Sequence, residues 1–238
     1  MRAPMPLPQT QRYSCQSCVT AQARWILGLS HATGRAAVRE ADELTGRKEG
    51  RPVSAAFSVP SFLAAGCEVI RYGKPDIDLD RLRRDGLPYF REYYADEWQD
   101  GEDDAFWTPR RLAAYAARAA RELSALTTAR AQYPELLAEA ARAFTIGDAD
   151  RLLADGCVIM TTYVPEGAAP DECHATLLHG RETDRFGEIY NAYNPGRGYS
   201  GIMFFRRDQF ARMLRPYAYA IRRSPAVIRS PRLPAAAA

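Results

Sequence analysis

Apolar residues recur at helical spacing in the first third of the chain. Val19, Ala23 and Ile26 lie on one face of a predicted helix, which either Ser14 or Ser17 can cap and which Gly28 ends. The same kind of pattern predicts three further short helices, over residues 34–44, 60–66 and 78–85. A strand is predicted over 67–72.

The middle of the chain has a different pattern. Thr108 and Pro109 form a typical helix start, and the alanine-rich sequence after them predicts a long helix. A second helix is predicted from Pro134 to Phe144. Residues 87–107 mix aromatic side chains with acidic ones, and these aromatics either line a binding cleft or pin an irregular loop to the core. Together, residues 87–144 form a predicted helical and aromatic insert.

From Thr145 onward the pattern becomes that of a sheet. A short capped helix over 145–156 is followed by runs of apolar and β-branched residues that predict four strands, and then by a helix. The predicted strands cover 157–163, 173–180, 188–193 and 202–205, and the helix covers 207–214. Helices first and an antiparallel sheet afterwards predict an α+β fold, in one domain over residues 1–238 with its sheet region at 145–223.

Composition adds limits to this picture. The chain has 238 residues, of which 47% are hydrophobic, enough for one full core. It contains no run of about 18 apolar residues, which excludes a membrane-spanning helix. The proline-rich start is unlike a secretion signal, so we expect a cytoplasmic protein. The five cysteines are sparse and odd in number, and we expect free thiols.

Charge is unevenly distributed although the net charge is only +3. Residues 197–232 contain nine arginines and one acid, Asp208, whereas 96–104 hold six acids and no basic residue. The basic end could meet an acidic partner. The alternative is that arginine is simply the preferred cation of this chain, which has only two lysines.

The chemistry of the chain is concentrated in a few side chains. Cys15 and Cys18 lie at the start of the first predicted helix, where unpaired backbone amides favour a thiolate. His174 begins one predicted strand and Asn194 ends the next, so they are expected to be adjacent across an antiparallel pair. A thiol nucleophile, a histidine base and an amide that orients it are the parts needed for acyl chemistry. The side-chain amide of Gln11 or Gln9 could serve the oxyanion.

These residues resemble those of the papain-like cysteine peptidases, and especially the C39-like bacterial branch. Ser14-Cys15-Gln-Ser-Cys18-Val is similar to the papain run whose second cysteine is the nucleophile. His174 to Gly180, followed by Ile189 to Gly196 with Asn194-Pro195, is similar to the histidine strand and the Asn/Asp-Pro signature of the C39-like branch. The resemblance covers about residues 9–30 and 145–215 and implies a papain-like fold, with the insert particular to this chain.

Two nucleophiles are compatible with that resemblance. Cys15 fits the C39-like spacing, because Gly28 lies thirteen residues after it and Gln9 six before it. Cys18 has papain-like neighbours, and Gln11 precedes it by seven residues. We predict Cys18 as nucleophile, with His174, Asn194 and Gln11 as its partners and Cys15 as the alternative.

The cysteines have three other interpretations. Cys173 and His174 are neighbours on a strand and point to opposite faces, which argues against a zinc site with Cys15 and Cys18. A redox Cys-x-x-Cys pair would need a strand directly before it, and proline-rich sequence stands there. Inert buried thiols with a core histidine are the remaining alternative. We expect neither a metal nor a cofactor.

A thiolate of this kind forms an acyl-enzyme that an acceptor then resolves. With no visible secretion signal or propeptide, we favour biosynthesis: amide formation from an acyl or aminoacyl thioester, held on an acidic carrier protein, to an amine acceptor. The papain-like resemblance implies the same, since similar folds transfer acyl groups in antibiotic pathways. A cysteine peptidase or amidase is the alternative, and a non-catalytic binding module is the third. Neither a nucleic acid nor a membrane is expected as partner, and insert 87–144 is where we expect substrate selection.

Overall fold

The computed structural model of the protein describes residues 2–5, 7, 15–48, 53–95, 97, 102–168, 173–194 and 201–224. The fold is α+β, as predicted: helices dominate the first part and one mixed, mostly antiparallel sheet collects the strands. The cysteine-bearing helix comes first, the helical insert lies in the middle, and most of the strands come last, which is the order of elements predicted from the sequence. Within the described ranges, no helix is both long and apolar enough to cross a membrane.

The N-terminal helices agree with the hydrophobic pattern. Helix α1 is Cys15–Ile26, α2 is Gly34–Thr45, and α3, Val59–Ala64, follows a short 3-10 helix at Ala55–Ser58. The chain leaves α2 through Gly46, whose φ of 63° is in the left-handed region that glycine tolerates best. Gly28, the predicted end of α1, has φ 67°. Ser14, one of the two predicted caps of this helix, lies outside the described residues.

The insert is more helical than expected. Four helices make it up or lead into it: α4 Leu79–Asp85, α5 Leu87–Tyr93, α6 Glu102–Phe106 and α7 Pro109–Gln132. Helix α7 begins as predicted, with the Thr108 side chain accepting a hydrogen bond from the Arg111 amide and proline in the first turn. The aromatic segment expected to be irregular instead forms α5 and α6. Phe90 and Trp107 pack against each other with ring centroids 4.6 Å apart, which pins this segment to α7 through Tyr115.

The second helix predicted in the insert is wrong. The segment after Pro134 forms strand β2, Leu137–Ala140, which pairs in parallel with β1, Cys67–Tyr72, in the register Val69 to Leu137. Its apolar run is too short for a stable helix, and β1 offers an edge whose backbone groups need partners.

The C-terminal half supplies the rest of the seven-stranded sheet. Its elements are α8 Ile146–Ala154, β3 Val158–Tyr163, β4 His174–Asp184, β5 Gly187–Asn194, β6 Gly201–Arg206, α9 Arg207–Met213 and β7 Leu214–Arg223. The strand order is β2-β1-β7-β3-β4-β5-β6. Strand β7 was not predicted, yet it lies at the centre, antiparallel to both β1 and β3. It joins the strands of the first half to those of the second.

Alternate residues of each strand point to opposite faces of the sheet, and this parity positions the site. On the helical face, Met160, Ala175 and Leu177 pack in one core with residues of α1. On the opposite face, Tyr163 and Leu178 pack in a second core with residues of α8 and α9. We call these the α1 face and the α8 face.

Helix α8 is fastened by its capping box. The Thr145 side chain accepts from the Asp148 amide, and the Asp148 carboxylate accepts from the Thr145 amide. Arg142 adds two hydrogen bonds of 2.7 Å to the same carboxylate. These bonds, of which those from Arg142 have the largest effect, hold the pKa of the Asp148 carboxyl well below its usual range. Desolvation of the carboxylate acts in the opposite direction.

Candidate active site

A cleft of about 750 Å³ opens between the insert and the α1 face of the sheet. A volume of this order is typical of small-molecule sites. Helices α5 and α7 supply one wall and strands β1, β3 and β7 the other, with Cys15 and Gln16 of α1 among the lining residues. The insert therefore does border the cleft that contains a candidate nucleophile.

The two candidate thiols are in different surroundings. Cys15, the first residue of α1, is half-buried and lines the cleft. Cys18 lies one turn further on, with 3% of its surface exposed, and packs in the core against the sheet. Of the two predicted nucleophiles, the cleft geometry therefore favours Cys15, the alternative, over Cys18, the first choice.

The pKa values of the two thiols differ in line with their exposure. Burial is the main cause that raises the pKa of Cys18 to about 12. Charges on Cys15 and Asp42 raise this pKa further, and Arg47 lowers it by less. Burial also raises the pKa of Cys15, and a backbone hydrogen bond at Cys15 opposes that rise. Cys15 thus needs a base to become a thiolate near neutral pH, but Cys18 would need one far stronger.

Strand parity separates the predicted base from the cleft. The exposed Cys173, directly before β4, lines the cleft together with Ala175. His174 is paired with Tyr163 across β3 and β4, and their ring centroids are 5.9 Å apart on the α8 face. Cys15 and Cys173 therefore line the same cleft, whereas the His174 ring packs against Tyr163 on the opposite face of the sheet.

Asn194 lies on the same side of the sheet as His174. It is fully buried at the end of β5, and its side-chain amide donates a hydrogen bond to the Tyr163 hydroxyl. Tyr163 also packs against Phe205 and Phe210 of the α8-face core. The predicted pair of histidine and asparagine is thus gathered around one tyrosine, on the face opposite the cysteines.

The oxyanion candidates Gln11 and Gln9 lie outside the described residues, as does Pro195. The amide side chain that does line the cleft is that of Gln16, next to Cys15. Its amide nitrogen is 3.4 Å from the Thr20 hydroxyl and 3.7 Å from the Met160 sulfur. Gln16 is therefore an oxyanion candidate that the sequence reasoning did not consider.

Tyrosine side chains form part of the cleft wall. The Tyr94 and Tyr115 hydroxyls are 2.8 Å apart, and the Tyr217 hydroxyl donates to Glu97 at 3.1 Å. Burial is the main cause that raises the pKa of each of these three phenols, so they stay protonated at neutral pH. These three side chains are therefore a neutral, aromatic part of the cleft wall.

The charged residues of the cleft are engaged with one another. The shortest of these pairs, Arg71 to Asp76, is 2.6 Å long, and the longest, Arg118 to Glu122, is 3.5 Å. Lys74 pairs with Glu97 and Arg47 with Asp42. Burial raises the pKa of Glu122, which reduces the negative charge of this wall further. What the cleft offers a ligand is therefore mainly tyrosine rings and aliphatic side chains.

The arginine-rich end is also largely engaged. Arg207 pairs with Asp150 at 2.7 Å, Arg222 with Glu68 at 2.6 Å, and Arg206 with Asp184 at 2.6 Å. These contacts favour the interpretation of arginine as the chain's ordinary cation, because paired side chains have less charge to give a partner. The residues at 197–200 and 225–232 lie outside the described part.

Two features of the site were missed from the sequence. Cys173 was considered only as a zinc ligand, although its place one residue before His174 put one of the two on the cysteine side of the sheet. Tyr217 and Tyr219 lie in a segment noted only for its arginines, although Tyr217-Ala-Tyr-Ala-Ile221 has the character of a strand. Among the described residues, no group of three or more His, Cys, Asp or Glu could hold a metal ion.

Comparisons with known proteins add a resemblance to solved structures. No protein-family model matches the chain, and no curated protein matches it either. Among solved structures, the chain is similar to the peptidase domain of Streptococcus ComA, a bifunctional ABC transporter involved in a quorum-sensing pathway. The TM-score is 0.44 at 11% identity, over 93% of this chain and 100% of that one.

Proposed function

We propose that this protein is a thiol-dependent acyl-transfer enzyme with Cys15 as its nucleophile. The observation that carries the proposal is the position of Cys15: it is only half-buried and opens onto a large cleft, whereas Cys18 is buried in the core. Partial positive charge at a helix N-terminus favours the thiolate form of a cysteine placed there. Of the two thiols in the first turn of α1, it is the one a substrate reaches.

In the proposed reaction, the Cys15 sulfur attacks the carbonyl carbon of an acyl thioester or amide. The carbonyl oxygen becomes an oxyanion, which the Gln16 amide or the predicted Gln11 amide stabilises. Collapse of this intermediate releases the donor's thiol or amine and leaves the acyl group on Cys15.

His174 is the proposed base, and it requires a local rearrangement. Side chains alternate between faces along a strand, so a slip of one residue exchanges the faces of Cys173 and His174. Cys173 directly precedes β4, and His174 is the first residue of that strand. A slip confined to this end would turn the imidazole toward Cys15 without moving the rest of the sheet.

The acyl group is proposed to occupy the cleft between α7 and β7. Because the charged side chains there are paired, we infer a neutral acyl group, with an aromatic or apolar portion against Tyr94, Tyr115 and Tyr217. The partner that presents it would be a thioester carrier or a peptide. Support for an acidic carrier is reduced by the ion pairs of the arginine-rich end.

For the acceptor we propose an amine. The acyl group would be bordered near Cys15 by Leu126, Met160 and Ala175, which keep water away from a thioester. A bound amine then competes well with water. Hydrolysis, the activity of a peptidase or amidase, is the rival outcome of the same acyl-enzyme.

The test is to trap and transfer the acyl group. The protein is incubated with a benzoyl and an acetyl thioester of N-acetylcysteamine, with and without a small primary amine, and is followed by intact mass and product analysis. We expect one acyl group on Cys15, faster with benzoyl, and amide product when the amine is present. Cys15→Ser should lose the adduct, whereas Cys67→Ser, which changes a buried thiol outside the cleft, should keep it.

An adduct retained in Cys15→Ser would refute the proposed nucleophile. An acyl-enzyme that gives only free acid, whatever amine is added, would assign the protein to the hydrolases. No adduct on the wild-type protein with either thioester or with the corresponding p-nitroanilides would contradict acyl transfer and favour a binding role.

A further inference from the structure

We propose that Cys15 and Cys173 form a reversible disulfide across the cleft. Its consequence for catalysis, reversible loss of acyl transfer, rests on the proposed function. The bond itself does not, since it depends only on where the two thiols lie. The oxidant would be a peroxide.

Both thiols open onto the same cleft. Cys15 lines it from the start of α1, and Cys173 lines it from the residue just before β4. Cys173 is two residues from Ala175, which shares its face of the sheet and packs in the same core that Cys15 borders. Helix α1 and the start of β4 thus present one sulfur each to the cleft.

The two thiols also interact electrostatically. Burial is the largest cause that raises the pKa of Cys15, and a backbone hydrogen bond opposes it. Charge on Cys173 raises the same pKa further. An influence of this kind requires proximity. It also means that the two thiols disfavour being thiolates together, and oxidation to a disulfide removes that repulsion.

The other three cysteines are poorly placed for this chemistry. Cys18, Cys67 and Cys157 are buried, with 3%, 0% and 2% of their surfaces exposed. Burial, as the largest cause, raises their pKa values to about 12, 11 and 11. A peroxide reacts with accessible thiolates, so the exposed Cys173 is the first target.

The reaction needs one peroxide and both thiols. The Cys173 thiolate attacks one oxygen of hydrogen peroxide, the O–O bond breaks, and Cys173 becomes a sulfenic acid while hydroxide leaves and takes up the thiol proton as water. The Cys15 sulfur then attacks the sulfenic sulfur; the S–S bond forms and the hydroxyl leaves as a second water with the Cys15 proton. Two electrons pass from the two thiols to the peroxide.

The disulfide would silence the enzyme without damaging it. With its sulfur bonded to Cys173, Cys15 cannot attack an acyl carbon, and it is protected from further oxidation to irreversible acids. A thiol reductant restores both groups. The strand end that carries Cys173 and His174 would also be held with Cys173 facing α1, which excludes the slip proposed for catalysis.

The experiment treats the full-length protein with a small excess of hydrogen peroxide, blocks remaining thiols with iodoacetamide, and fragments the tryptic peptides by mass spectrometry. We expect a bond between Cys15 and Cys173, absent after dithiothreitol and absent in Cys173→Ser. Cys157→Ser, whose thiol lies on the same tryptic peptide as Cys173 but outside the cleft, should still form it. In Cys173→Ser, Cys15 should instead accumulate oxidised acids that dithiothreitol does not reverse.

A bond between Cys15 and Cys18 in place of Cys173 would overturn the inference, and so would five alkylated thiols after peroxide. Disulfide mapping does not depend on turnover, so the two proposals fail separately. A Cys15 to Cys173 bond in a protein that never accepts an acyl group would sink the proposed function alone. Acyl transfer that survives peroxide without any disulfide would sink this inference alone.

Discussion

The two faces of the sheet carry the two halves of what the sequence presents as one catalytic set. On the α1 face, the cleft brings together Cys15, Gln16 and Cys173. On the α8 face, Tyr163 gathers His174 and Asn194 in a well-packed environment. One face is open and lined by thiols, whereas the other is closed and stabilised by hydrogen bonds.

This difference arises because neighbouring residues of a strand point to opposite faces of the sheet. Cys173 and His174 are adjacent, so the same strand puts a thiol on one face and an imidazole on the other. If His174 serves Cys15, the start of β4 must change its pairing. If it does not, the α8-face cluster is structural and the base is another group.

The largest effect is expected for His174→Ala. If the imidazole becomes the base, acylation of Cys15 should fall by about 10²- to 10⁴-fold, the usual contribution of general acid–base catalysis. Acylation rates with a thioester substrate across pH 5 to 9 provide the measurement. His31→Ala, at an exposed loop position, is the matched control. Unchanged acylation in His174→Ala would leave the two faces functionally separate.

Next in size is the effect of Asp148→Ala on the α8 face. It removes the capping carboxylate and its bonds to Arg142, which should lower the free energy of unfolding by about 3 kcal/mol. The folded-state pKa of Asp148 is lowered, so this stabilisation is full above the unfolded pKa of about 3.9 and is lost as pH falls below it. Urea unfolding at pH 7 and pH 3 tests this: the gap between wild type and variant should shrink at pH 3. Asp155→Ala, at the exposed end of α8, should show neither effect.

Tyr163→Phe tests whether the cluster around His174 is structural. The change leaves the buried Asn194 amide without its tyrosine acceptor, which should cost about 2 kcal/mol of unfolding free energy. Alkylation of Cys15 should be unchanged, because Tyr163 belongs to the other face. A stable variant whose Cys15 reacts much more slowly would show instead that the two faces are coupled.

The smallest effect concerns the cleft wall. Leu123→Trp should fill part of the cleft and raise KM for a benzoyl thioester about tenfold, equivalent to about 1.4 kcal/mol, while the small reagent iodoacetamide still reaches Cys15. Leu44→Trp, on the exposed side of α2, is the control. Equal KM values in all three proteins would place acyl binding outside the cleft.

Much of the fold could be predicted because local signals agree with it. Strand β1 has the bounds expected from its apolar run, and α8 begins with the capping box that Thr145 and Asp148 suggest. The elements that could not be predicted depend on contacts between residues distant in sequence. Strand β2 forms because β1 offers it a parallel partner, and β7 because both β1 and β3 need a neighbour, and neither demand is visible in the segment itself.

The candidate site could be predicted only in outline. The elements that carry the predicted residues are those expected: the thiols lie in α1, the histidine begins β4, and the asparagine ends β5. Which thiol meets the cleft depends on how α1 rotates against Ala175 and Leu177, and the face of His174 depends on its pairing with Tyr163. Both are tertiary facts that spacing along the chain does not contain.

The central claim is that Cys15, and not Cys18, is the reactive thiol of this protein. Brief alkylation with iodoacetamide at pH 7.5, quenched over time and mapped by peptide fragmentation, tests it directly. The cleft geometry predicts that Cys15 and the exposed Cys173 are modified well before Cys18, Cys67 and Cys157, and that a bound acyl thioester protects Cys15. Faster modification of Cys18 than of Cys15 in the folded protein would contradict the account.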